Sequence, residues 1–115
     1  MAIGLVAFHY PRPEYREQMI QRVRQAAEVM AGVPGCLDVA CWSEEATGAV
    51  VTTGKWESRD ALASGFRAVR AAGVDFDYDD REARPRTSSI CCPCNYSPWA
   101  VSRLAHADVF LLRAA

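Results

Sequence analysis

The sequence predicts an α+β domain with its elements in the order βαββαβ, a ferredoxin-like antiparallel sheet with two helices on one face. Three observations lead there. Residues 3–10, IGLVAFHY, are apolar on both alternating faces and suit a strand covered on two sides. Residues 36–43 and 49–56 read as strands separated by EEATG, a hairpin loop ending in glycine. Each half of the pattern also contains a stretch whose apolar residues recur at helical spacing.

The first strand carries Ile3, Leu5, Ala7 and His9 on one face and Val6, Phe8 and Tyr10 on the other. YPRP ends it, since proline cannot donate to a ladder. Pro13 suits a first helical position, and Glu14 and Glu17 favour the positive end of the helix dipole. Tyr15, Met19, Val23, Ala26, Ala27 and Met30 then form one apolar stripe, with Arg16, Arg22, Arg24 and Glu28 assigned to the wet side. AGVPG, residues 31–35, stops the helix. After the hairpin, Ser58 is the predicted N-cap of a second helix with Asp60 in its first turn. Leu62, Phe66 and Val69 make its stripe, and Gly73 its stop. The acidic segment 74–85 reads as a solvated loop, and residues 86–92 as the fourth strand. Residues 1–93 thus form the domain and 94–115 a C-terminal extension. That extension reads as a helix from Ser97, or as a strand over residues 108–113, or as a segment foreign to the native protein.

The chain has 115 residues, half of them apolar, enough for one globular domain. Basic residues are scattered among acidic ones, so no nucleic-acid partner is expected. No apolar run has a membrane-spanning length, and the N-terminus lacks the pattern of a signal peptide, so a cytosolic location is expected. The five cysteines are an odd number without a spaced framework, which predicts reduced thiols.

Trp56 closes the third strand on the same face as Thr52 and Gly54. A glycine beside a tryptophan leaves space there, so the indole is expected to border a cavity between sheet and helices, with core packing as the alternative. His9 has the basicity of a general base at neutral pH but sits at a strand end, where exposed histidines are common. Cys91, Cys92 and Cys94 lack a second ligand pair for a structural zinc site, so no metal is expected. Asp75, Asp77, Asp79 and Asp80 resemble the start of a calcium loop without its glycine or its final glutamate. Nucleotide-binding and serine-hydrolase motifs are absent.

IGLVAFHY, VPGCLDV and GKWESRDAL, with their spacing over residues 3–72, resemble the antibiotic biosynthesis monooxygenase superfamily of dimeric α/β-barrel proteins. The resemblance implies a homodimer whose sheets meet face to face and a pocket in each subunit. It includes cofactor-free monooxygenases of polyketide quinols, haem-degrading enzymes and members of other or unassigned role, so it names no reaction. Trp56 falls on the tryptophan of the third-strand motif, which contributes to the pocket in cofactor-free members. Thr52 stands where many of them carry asparagine. Residues 60–73 contain no histidine to ligate haem iron. The expectation is a cofactor-independent monooxygenase acting on a small aromatic or quinol-like molecule. Trp56, Thr52, Gly54 and Phe66 would bind substrate, and His9 would be the base. The alternative is a non-catalytic ligand-binding or structural barrel of the same fold. The sheet pattern itself favours a homodimer, because one face of a lone four-stranded sheet would expose either Ile3, Leu5 and Ala7 or Val6 and Phe8.

Overall fold

The computed structural model describes residues 2–94. Its strands are β1 (Ile3–His9), β2 (Cys36–Ser43), β3 (Val50–Trp56) and β4 (Thr87–Cys91). Its helices are α1 (Arg16–Ala31), entered through a 3-10 turn at Pro13–Tyr15, and α2 (Arg59–Ala71). The sheet order is β2-β3-β1-β4, and every pairing is antiparallel. This is the ferredoxin-like arrangement, with β1 and β3 central and both helices packed on one face. The proposed helix or strand after residue 94 lies outside the described residues. No described helix is long and apolar enough to cross a membrane.

The local signals act where the sequence places them. Ser58 Oγ accepts from the Ala61 backbone N–H at 3.1 Å and caps α2. Gly35 and Gly73 adopt φ of 90° and 74° at the two helix exits, conformations that side chains disfavour. The expected first and fourth strands are each shorter than the apolar pattern suggested, β1 stopping at His9 and β4 running from Thr87 to Cys91. A bulge between Cys36 and Asp38 starts β2, and Leu37 beside it is half exposed.

The core centres on Trp56, which is fully buried among Ile3, Leu5, Met30, Leu62 and Val69. The space expected beside Gly54 is filled by the indole itself. A Cβ on Gly54 would stand 2.9 Å from the indole Nε1. From the other side, a Cβ on Gly65 of α2 would stand 2.4 Å from the indole Cη2. The ring is therefore clasped between two glycines, one on the strand and one on the helix. Its N–H has no hydrogen-bond partner among the described residues, so shape rather than polarity holds it. The opposite sheet face carries Val6, Phe8, Val51 and Trp42. Trp42 is 61% exposed, and its indole N–H donates to Thr53 Oγ1 at 2.9 Å.

Gly65 is thus a packing residue. Gly65→Ala improves helix propensity by roughly 1 kcal/mol but drives a methyl group into the ring. We expect a net loss of about 1–3 kcal/mol, measured by urea unfolding followed through tryptophan fluorescence.

Candidate ligand cavity

Small side chains in register open the cavity. Ala7 of β1 pairs with Thr52 of β3 on one side and with Ser88 of β4 on the other. This row of three small residues faces Ala26 and Ala27 of α1 across the sheet–helix gap. Two rows further toward Trp56 the same gap is filled; here it is not. The result is a half-open cavity of about 180 Å³, walled by Leu5, Val23, Met30, Phe66 and Phe76. An apolar cavity of about 150 Å³ is enough to bind benzene. Phe66 is 40% exposed and stands at the rim.

One end of the cavity is polar. His9, Arg86, Thr87 and Ser88 line it, and Thr52 adds a hydroxyl. Contrary to its expected exposure, His9 is 6% exposed, because the 74–86 segment folds across the end of β1. Arg12 N–H donates to Arg81 O, and Ala83 N–H to Tyr10 O, fastening that segment in place. Burial lowers the pKa of His9 from 6.5 to about 4, with further opposition from the positive charges of Arg86 and Arg22. The imidazole is therefore neutral at physiological pH.

The cations around it are firmly held. Arg86 donates from Nε to Glu82 Oε2 at 2.7 Å, and from its terminal nitrogens to the carbonyls of Phe76 and Asp77. Arg22 donates to the Asp75 and Asp77 carbonyls and to Asp75 Oδ1. Arg22 is buried, not on the wet side of α1. The sequence did carry a signal: positions 19, 22, 23, 26 and 30 all lie on one helical stripe. The acidic segment is likewise not a merely solvated loop. Glu82 is 4% exposed, and Asp75 and Asp79 bind Arg81. The Arg81 guanidinium, with its hydrogen bonds, holds the exposed Asp79 carboxyl down at about 2.

The structure brings His9, Thr52 and Phe66 together around the cavity and leaves Trp56 and Gly54 outside its lining. The placement of those two as pocket residues is corrected: the indole occupies the volume that the glycine vacates. Arg86, Arg22 and Glu82 had been missed, since their partners come from a segment without regular periodicity. The five cysteines are free thiols. Among the described residues no group of three or more histidine, cysteine or acidic side chains converges as a metal site.

A ferredoxin-like sheet with a ligand-sized cavity under its helices defines a class of small α+β cavity proteins. The family model for antibiotic biosynthesis monooxygenase matches residues 2–67, more than half of the chain, and the protein belongs to that family. Its fold is similar to that of Rv0793 from Mycobacterium tuberculosis, with TM-score 0.67 and 18% identity, covering 84% of this chain and 99% of that one. A putative antibiotic biosynthesis monooxygenase from Caulobacter crescentus gives TM-score 0.62 and 24% identity over 82% of this chain and 91% of that one. SnoaB, a cofactor-independent oxygenase from Streptomyces nogalater, gives 0.62 and 13% over 84% and 97%. At such identities the likeness is one of fold. No curated protein sequence matches significantly.

The buried histidine links stability to pH. Between about pH 6.5 and 4 the unfolded chain binds a proton at His9 that the folded chain refuses. Stability therefore falls as pH drops through that window, whereas the depressed carboxyls of Asp75 and Asp79 titrate below it. The melting temperature should decline across the window, and His9→Gln should flatten the decline.

Proposed function

We propose that this protein is an oxygenase-type enzyme acting on a small aromatic molecule that bears a phenolic or quinol-like oxygen. The observation that carries the reading is the cavity's division into an apolar body and one polar end with His9, Arg86 and the Thr52 hydroxyl. The apolar walls suit an aromatic ring. Thr52 can hydrogen-bond a ring oxygen, and the fixed guanidinium of Arg86 favours the negative charge that develops there when the proton leaves. His9 is neutral and can accept that proton. In a cofactor-independent reaction the substrate anion supplies the electrons to dioxygen. The ring carbon para to that oxygen, a C–H in the phenol and a methylene in its keto tautomer, is oxidised to a carbonyl; one oxygen atom enters the quinone product and the other leaves as water. Membership of the monooxygenase family and the fold shared with SnoaB, a cofactor-independent oxygenase, support the reaction type.

A second reading is a binding protein that sequesters the same ligand without turnover. The weak basicity of His9 favours it. Oxygen uptake with anthrone or a naphthalenediol as substrate separates the two. Uptake that exceeds the uncatalysed rate and is lost in His9→Gln supports the enzyme; binding without uptake supports sequestration; neither binding nor uptake overturns both. In either case Thr52→Val, which keeps the shape and removes the hydroxyl, should weaken binding of these aromatics about five- to tenfold, measured by titration calorimetry.

We further propose a homodimer formed through the uncovered sheet face. Val6, Phe8, Val51 and Trp42 would make an apolar patch that a monomer leaves in water. Sedimentation at micromolar concentration should give twice the chain mass, and Val6→Asp should shift it to the single chain mass.

A further inference from the structure

Glu82 is the one buried carboxylate among the described residues. Its side chain is 1% exposed, and burying a carboxylate is costly unless both oxygens find partners. Oε2 has one, the Nε–H of Arg86 at 2.7 Å. Oε1 has none and is sealed from solvent. Two sealed and unpartnered donors stand in the same cluster, Nη1 of Arg22 and Nδ1 of His9, and the second lies 3.7 Å from that same oxygen. Two orphans face each other across less than 1 Å more than a hydrogen bond, and they are complementary. An ionised carboxylate only accepts, while an imidazole nitrogen can donate. Anchoring the segment does not account for the carboxylate. Main-chain bonds from Arg12 to Arg81 and from Ala83 to Tyr10 already fix it to the end of β1.

We propose that Glu82 is the positioning residue for His9, holding the imidazole with Nδ1–H toward the carboxylate and Nε2, as the free lone pair, toward the cavity. Of the two ring nitrogens, only Nδ1 is sealed without a partner, and His9 lines the cavity. Arg86 is then a structural clamp whose Nε–H aims the carboxylate. The charged neighbours of the ring are Glu82 and Arg86 from the segment before β4 and Arg22 from α1. Both arginines oppose an imidazolium, and Glu82 is the one described carboxylate in contact to stabilise it. What the lone pair does rests on the phenol-binding reading above. When a phenolic O–H bond breaks, the proton forms an N–H bond at Nε2. The imidazolium charge is then held against Glu82, and the phenolate stays in the cavity.

Imidazole nitrogen NMR on the full chain tests this, with His106→Gln identifying the His9 signals. At neutral pH the wild type should show the tautomer with Nδ1 protonated. Glu82→Gln keeps an acceptor and should keep that tautomer, while lowering the apparent pKa of His9 by about one unit or more, since an opposing charge is lost. Glu82→Leu should lose the tautomer preference. A wild-type His9 protonated at Nε2 overturns the proposal, as does a Glu82→Gln variant with unchanged His9 titration. Both hold whether or not Glu82→Leu folds. The lone pair's use is read with para-nitrophenol, whose bound phenolate absorbs differently from the phenol. The share of bound phenolate accompanied by an Nε2-protonated imidazole, read by nitrogen NMR, should fall about tenfold in Glu82→Gln. Absence of any para-nitrophenol binding, with the Nδ1–H tautomer intact, counts against the phenol-binding reading and upholds the positioning role.

Discussion

The clasp of Trp56 between Gly54 and Gly65 sets the spacing on which the rest of the fold depends. The indole meets the strand at Gly54 with its Nε1 edge and the helix at Gly65 with its six-membered ring, which leaves no room for either backbone to approach further. It therefore fixes α2 against the sheet at one end of the gap. The Ser58 cap fixes the corner between β3 and α2, so the strand end, the ring and the helix move as one unit. Close packing of this kind is stiff, because even one added methyl group has nowhere to go.

With the gap propped at that end, its width continues to where the side chains become small. The row Thr52, Ala7 and Ser88 cannot fill a space sized by an indole, and Ala26 and Ala27 do not fill it from above. The cavity is thus a consequence of the core plug, not a space beside it. The tryptophan acts on the cavity at a distance, through the separation of its walls.

The polar end of the cavity is built differently. The segment between α2 and β4 lays its carbonyls on Arg22 and Arg86, and these cations approach His9 and Glu82. Four charged or titratable side chains are held largely out of water, and each arginine is satisfied mainly by main-chain oxygens. Such a cluster is tolerated because most of its donors are bonded; of the three atoms left over, Arg22 Nη1, His9 Nδ1 and Glu82 Oε1, the last two face one another.

The element order, the β2–β3 hairpin, the Ser58 cap and the faces of the central strands are all legible in the sequence. These follow from periodicity and local hydrogen bonding, which act between residues near each other in the chain. The sequence also pointed to Thr52 through strand alternation, to Phe66 on the stripe of α2 and to His9 through the basicity of its side chain, and these three line the cavity. Its reading of Trp56 and Gly54 failed because alternation gives the face of a side chain, not whether a ring folds back over its neighbour. The glycine in the middle of α2 was the available sign of a close approach. The burial of Arg22 and the approach of Glu82 to His9 arise only in three dimensions. These contacts join residues more than fifty positions apart through a segment with no period, and they exist only once α1, β1 and that segment share one interior.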